Sequence, residues 1–373
     1  MRRLSLKFPK KADLLIYDAA NSQEIIDYIA RGSIKTSILS SSYKQLVLYL
    51  RPYFLAKYIF LLFKYINLEK KLSSQIIFIY KCCIINQINP KVIITQADDS
   101  DFIQWLNKSN IITKKIKVFT IQNGIKQKWH KCFTNFMHFE NYFSFGDYDK
   151  ANFQSLGAKV KNFMPIGSLR LGIFNERHKS TLKNNKYDIC LVSSYINLNN
   201  CKNHDYFRKF MHYSKLLDNY ILEYSSSHNI NLCIALKGKS SEEYNYYKSI
   251  FPNCNSIYKN NVPYNSYKLA SQSNITLSFA SSLILESIGA RNKSCFIDTS
   301  NDDEYLKFDY PVRVQVSNYK DFSAYINNFL RINIDEYFNI NKDLFTKYMN
   351  YNDEIPPQDI IRNTITAYLN GYN

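Results

Sequence analysis

Glycine and proline are scarce in this chain, nine of each among 373 residues. With no periodic repeat and no long biased tract beside them, that scarcity excludes collagen-like, solenoid and disordered architectures. Histidine is also sparse, at six residues, and the eight cysteines form no C-x-x-C pair and have no histidine at zinc spacing. A structural zinc site is therefore not expected. Cys82, Cys83, Cys132, Cys190, Cys201, Cys233, Cys254 and Cys295 read instead as reduced residues of a cytosolic protein, several of them inside apolar runs such as Ile189-Cys190-Leu191. The N-terminus begins basic, with Arg2-Arg3, but has no continuous apolar core or small-residue cleavage site, so export is not expected.

An uninterrupted membrane-spanning run is missing too. The nearest segment, Leu46 to Lys64, is broken by Arg51, Pro52 and Lys57 and ends at Lys64, whereas a spanning helix needs about 20 mostly apolar residues without central charge. Two readings stay open for it. One is a helix lying on the cytoplasmic membrane face, its Tyr and Phe sunk into lipid and its lysines reaching phosphates. The other is a buried helix of a soluble core.

What is present is ample material for packed cores: 46% hydrophobic residues, with 31 Tyr and 25 Phe. At this length two domains are the natural expectation. Forty-eight basic residues against 31 acidic ones give a net charge of +17, which draws the molecule to something anionic. No zinc finger, basic zipper or RNP signature accompanies that charge, so nucleic acid is not the expected partner. An anionic inner-membrane surface or a phosphorylated substrate accounts for it at least as well.

Apolar strand-like runs alternate with helical stretches along the whole chain, which implies parallel strands and right-handed crossovers. Strands are expected at Ala12 to Asp18, Thr36 to Leu39, Val92 to Thr95, Val118 to Gln122, Phe143 to Gly146 and Val160 to Pro165. The pattern restarts at Asp188 to Ser194, Asn231 to Leu236, Ile275 to Ser278 and Ser294 to Asp298. A polar stretch at 175–186 reads as the linker. The expected organisation is an N-terminal Rossmann-like domain over 1–165 carrying acceptor and catalytic groups, and a C-terminal Rossmann-like, nucleotide-sugar-binding domain over 166–352. A final helix in 353–373 is expected to pack back on the first domain. Two Rossmann-like α/β domains facing across a cleft constitute the GT-B architecture.

Chemistry is concentrated where strands stop. Val92 to Thr95 runs into Asp98-Asp99-Ser100-Asp101, and carboxylates crowded in this way repel unless a fold uses at least one. The plainer reading makes Asp99 and Asp101 first-turn helix residues that suit the dipole. Asp99-Ser100-Asp101 also matches a metal-holding D-x-D, but so short a match is frequent by chance and no metal is expected. Asp18, Gln122 and Asn123 follow other strands of the same half, and His130 stands among lysines, either orienting a substrate or simply solvated. In the second half, Ser193, Ser194 and Ser278 end strands, and Ser281-Ser282 begins a helix, a phosphate-site pattern whose plainer reading is N-capping by Ser281. Glu286 is a candidate for ribose hydroxyls, or else solvated. Lys237, after another strand, is a candidate for phosphate, or else a surface lysine.

The order Asp18, Asp98-Asp99-x-x-Phe102, Ile121-Gln122-Asn123-Gly124, Gly167-Ser168 and Ser281-Ser282 resembles bacterial surface-carbohydrate biosynthesis proteins. These are GT-B glycosyltransferases, similar in turn to the retaining β-Kdo transferases of capsule and lipopolysaccharide assembly. Where the latter carry Gln-His-Gly, this chain has Gln122-Asn123-Gly124, so no histidine role transfers to Asn123. The resemblance implies transfer of a 2-keto sugar acid, of Kdo or nonulosonic acid type, from a CMP-activated donor to a glycan or lipid-linked glycan acceptor, without a cofactor. It implies an aspartate nucleophile, for which Asp98 is the candidate, a base for direct displacement being the alternative. Beside Asp99 and Asn123, His130 is a candidate to protonate a leaving group or orient the acceptor, and Asp18 and Gln122 are read as acceptor-side groups. A cytoplasmic protein, peripheral on the inner face of the membrane, would follow. A CDP-glycerol-type phosphotransferase and a non-catalytic polyanion-binding protein are the alternatives.

Overall fold

The computed structural model describes residues 4–5, 9–18, 21–32, 34–42, 47–66, 72–108, 115–126, 137–178, 185–200, 204–259, 261–300 and 307–371. The chain divides into two compact units. The first comprises Met1–Gly124, Lys131–Leu169 and Asn352–Asn373, the second Ile125–His130 and Arg170–Tyr351.

Strands of the first unit are β1 (Leu4–Ser5), β2 (Leu14–Tyr17), β3 (Thr36–Leu39), β4 (Leu48–Tyr49), β5 (Val92–Thr95), β6 (Lys117–Ile121), β7 (His138–Ser144) and β8 (Lys159–Pro165). Six of them form one wholly parallel sheet in the order β3-β2-β5-β6-β7-β8, while β1 and β4 make a separate parallel pair. A parallel sheet covered on both faces demands side chains that are apolar in both directions. The runs Leu-Leu-Ile-Tyr of β2 and Val-Ile-Ile-Thr of β5 meet that demand and are buried at every position. Register puts Ile16 beside Ile94 and Ile94 beside Phe119. Helix Leu72–Ile88 seals one face through Ile79, Cys82, Cys83 and Ile85. The closing helix Pro357–Leu369 is tied to this unit by Lys91 Nζ, which donates to the Leu369 carbonyl at 2.9 Å, and by Arg362 Nε, which donates to the Tyr28 carbonyl at 3.0 Å.

The second unit contributes β9 (Tyr187–Val192), β10 (Leu232–Ala235), β11 (Ile257–Tyr258), β12 (Ser273–Ser278), β13 (Ser294–Asp298) and β14 (Arg313–Gln315), again all parallel, in the order β11-β10-β9-β12-β13-β14. Counted within the unit, that is the order 3-2-1-4-5-6 of a dinucleotide-type Rossmann sheet. In each unit the order reverses beside the first strand of the large sheet, between β2 and β5 and between β9 and β12. A crevice outside the carboxyl ends of those strand pairs is where such sheets bind ligands.

Two local expectations need correction. Residues 175–178 are not linker but the end of helix Leu169–His178, whose Leu171, Ile173 and Phe174 are buried. The second-unit helix starts at Leu283 rather than at Ser281, leaving both serines in the turn before it. His130, Cys132 and Cys201 lie outside the described residues.

Candidate functional site

At the carboxyl edge of the first sheet, Asp18 follows β2 and Gln96 to Asp99 follow β5, so the switch point gathers Asp18 and Asp98. The three crowded carboxylates separate by burial. Asp98 is 1% exposed, whereas Asp99 and Asp101 face solvent, Asp101 in the first turn of helix Asp101–Lys108. Asp98 Oδ2 accepts the Tyr142 hydroxyl at 3.0 Å and the Asn123 backbone N–H at 3.2 Å. Burial first, and the Asp98 carboxylate second, hold the Tyr142 phenol well above its ordinary range, so it stays a donor. Gln122 bridges two loops: its Nε2 donates to the Gly124 carbonyl at 3.1 Å and its Oε1 accepts the Phe145 N–H at 2.7 Å. Both ends of that amide serve the loop, while the Asn123 side chain beside it is exposed, as is that of Asp99. Asp18, also buried, accepts the Asn21 N–H at 3.2 Å.

Lys81 was not foreseen at this edge. It sits in the apolar run of helix Leu72–Ile88, buried, with Nζ 2.9 Å from the Tyr17 hydroxyl and 3.1 Å from the Ser41 carbonyl. The same ammonium lies 4.9 Å from the Tyr17 ring centroid and 5.2 Å from that of Phe102. Burial lowers its pKa to about 8. A lysine interrupting Ile-Ile-Phe-Ile-Tyr was the available signal, because a buried ammonium is costly unless the fold uses it.

The carboxyl edge of the second sheet is built from hydroxyls. Ser278 Oγ donates to the Val192 carbonyl at 2.9 Å and lies 3.0 Å from Ser194 Oγ, which in turn accepts the Ala280 N–H at 3.0 Å. With the Ser278 proton directed at Val192, Ser194 is the donor of the pair. These bonds stitch the β9 and β12 loops together at the switch point. Ser281 and Ser282, next along the chain, are half-buried. The N-cap position falls on Ser282, whose side chain makes no capping bond.

Glu243 organises the neighbouring loop and was also missed. It is 3% exposed; its Oε1 accepts Ser193 Oγ at 2.6 Å and the Lys237 N–H at 2.9 Å, and its Oε2 accepts the Gly238 N–H at 3.1 Å. Ser240-x-x-Glu243 carries the spacing of a capping box, and Ser240 does cap helix Ser241–Ile250. Glu243 turns instead to the loop before it. The Lys237 and Gly238 amides are thereby occupied, and the side chains of Lys237 and Lys239 are the exposed charges of that loop. Glu286 is buried rather than solvated, and its Oε1 accepts the Tyr267 hydroxyl at 2.7 Å.

Behind this edge Asp218, 1% exposed in helix His204–His228, accepts the Tyr246 hydroxyl at 3.0 Å. Burial raises its pKa to about 7 against the opposing effects of Tyr246 and Lys215. The Tyr246 ring packs 5.0 Å from Tyr195 in the loop after β9.

No protein-family model and no curated protein sequence matches this chain. Solved structures do. UDP-GlcNAc 2-epimerase from Neisseria meningitidis bound to UDP-GlcNAc superposes with a TM-score of 0.54 at 11% identity, over 95% of this chain and 98% of that one. S. aureus MnaA with UDP gives 0.56 at 8% identity, over 100% and 98%. The wall teichoic acid polymerase TagF, as the H444N variant with CDPG, gives 0.53 at 11% identity, over 97% and 90%. At these identities the likeness shows the fold: two Rossmann-like α/β units of the GT-B class.

Proposed function

We propose that this protein is a GT-B transferase of surface-glycan synthesis that binds a nucleotide-activated donor at the carboxyl edge of its second sheet. The observation that carries the reading is the pair Ser281 and Ser282. Both hydroxyls sit half-buried beside the β9/β12 switch point, make no hydrogen bond to another described side chain or backbone group, and follow a turn already braced by Ser194 and Ser278. Neutral donors beside a Rossmann switch point suit phosphate oxygens without charge repulsion. Similar folds solved with UDP-GlcNAc, UDP and CDPG agree with a donor of this class.

The first unit supplies acceptor-side chemistry in this reading, centred on Asp98. A CMP-activated 2-keto sugar acid remains the donor we favour from the surface-carbohydrate resemblance. A nucleophile has to reach the anomeric carbon, and Asp98 is buried with Oδ2 engaged by two donors. That arrangement fits a carboxylate that positions Asn123 and Tyr142 better than one that forms a covalent glycosyl-enzyme. Intact-mass measurement of protein mixed with CMP-sugar separates the routes, since only the covalent one adds a sugar mass.

Donor class is tested by thermal unfolding with CMP, CDP and UDP. A ligand at about 100 times its dissociation constant stabilises a fold by about 2.7 kcal/mol. The reading predicts a rise in melting temperature with one of the three; no rise with any of them removes it.

A further inference from the structure

Helix Pro52–Tyr65 is apolar on both faces, and the core uses only one of them. Phe54 and Leu61 point inward, onto the cluster containing Ile79, Cys82 and Cys83. On the opposite side Tyr53 is 67% exposed, Ile59 51%, Phe60 62% and Phe63 83%. Tyr53, Phe60 and Phe63 recur at helical spacing, so they form one continuous aromatic stripe. Leu72 and Ile76, exposed on helix Leu72–Ile88, extend it, and the Tyr58 hydroxyl ties the two helices by donating to the Ile76 carbonyl at 3.1 Å. Clustered exposed rings of this kind mark an interaction surface rather than ordinary scatter.

Charge identifies the partner. Lys57 and Lys64 each stand four residues after a ring of the stripe, Tyr53 and Phe60 respectively, along one border of it, and Arg51 precedes it. The helix itself has no acidic residue. Residues 28–97 hold one acidic residue, Glu69, and ten basic ones. That surplus of nine is more than half of the chain's +17, gathered in less than a fifth of its length. Exposed rings bordered by lysines on a helix that itself carries no acidic residue match a surface that is apolar just below a layer of negative charge. No helix among the described residues is long and apolar enough to cross a membrane. The chemistry is that of a helix lying in the interface.

We infer that helix Pro52–Tyr65 docks the protein on an anionic phospholipid bilayer, with Tyr53, Phe60 and Phe63 buried among the acyl chains and Lys57 and Lys64 at the phosphates. This stands independently of the donor reading, which is tested by nucleotide alone.

The test is co-sedimentation of the full chain with phosphatidylcholine vesicles that contain or lack phosphatidylglycerol, at low and high salt. Wild type binds the phosphatidylglycerol vesicles, more weakly in high salt. F60S/F63S loses more than about tenfold in affinity, from the removal of two buried rings. K57E/K64E loses at least about fivefold per lysine on anionic vesicles only. Urea unfolding midpoints equal to wild type show both variants folded, as expected for exposed positions. Absence of wild-type binding, or unchanged binding by F60S/F63S, overturns the inference. So does sedimentation equilibrium showing a dimer that F60S/F63S converts to monomer, which would give this face to a second copy of the chain.

Discussion

Asp98 and Tyr142 meet at 3.0 Å although 44 residues separate them in sequence, and both are buried. This bond ties the loop after β5 to β7, two strands away in the sheet, and brings the Asn123 amide to the same oxygen. A buried carboxylate retains its charge only where donors compensate for lost water, so the pair is mutually dependent.

Tyr142→Phe removes one donor from Asp98 and is expected to destabilise the fold by about 1 to 3 kcal/mol. Chemical denaturation checks this. Asp98→Asn is expected to abolish transfer while nucleotide still raises the melting temperature of the variant. Undiminished turnover in it would remove Asp98 from the reaction.

Glu243→Ala leaves Ser193 Oγ and the Lys237 and Gly238 amides without their acceptor. Hydrogen bonds to a charged group contribute about 1.5 to 3 kcal/mol each. The expected outcome is a loss of at least about 2 kcal/mol in stability, together with weakened nucleotide binding measured by calorimetry.

Ser281→Ala with Ser282→Ala behaves differently, because neither hydroxyl braces the fold. Donor affinity is expected to fall by roughly tenfold, the loss of one or two hydrogen bonds, while the unfolding midpoint stays within about 0.5 kcal/mol of wild type. An unchanged dissociation constant would move the phosphate site elsewhere.

Asp218 predicts a pH dependence. Its proton leaves the unfolded chain near pH 4 and the folded chain near pH 7. Between those values the folded state holds one more proton, so stability falls as pH rises through the window, and levels off above it. Asp218→Asn has no proton to lose, and its unfolding free energy relative to wild type should therefore improve steadily from pH 4 to pH 7. Parallel curves for the two proteins across that range would refute the assignment.

Much of the fold was legible because fully buried parallel strands leave a strong local trace. Leu14 to Tyr17 and Val92 to Thr95 are apolar at successive positions and stop at polar residues, and a strand end at a carboxyl edge is where Asp18, Asp98, Ser193, Ser194 and Ser278 all stand. Less was legible where one helix serves two environments. Leu46 to Lys64 left a membrane face and a core equally open, since an all-round apolar helix shows no preferred side until its neighbours are known. The structure divides it: Phe54 and Leu61 go inward while Phe60 and Phe63 stay out.

Asp98, Asp99 and Asp101 are nearly equivalent in sequence, and so are Glu242 and Glu243. Which of them is buried against donors depends on Tyr142 for one and on Ser193 for the other, groups 44 and 50 residues away. By itself the sequence determined the alternation of strand and helix, because hydrophobic period is a local property. Only the tertiary structure decided which carboxylates organise the two edges, because burial and donor supply come from strands and loops that chain proximity does not bring together.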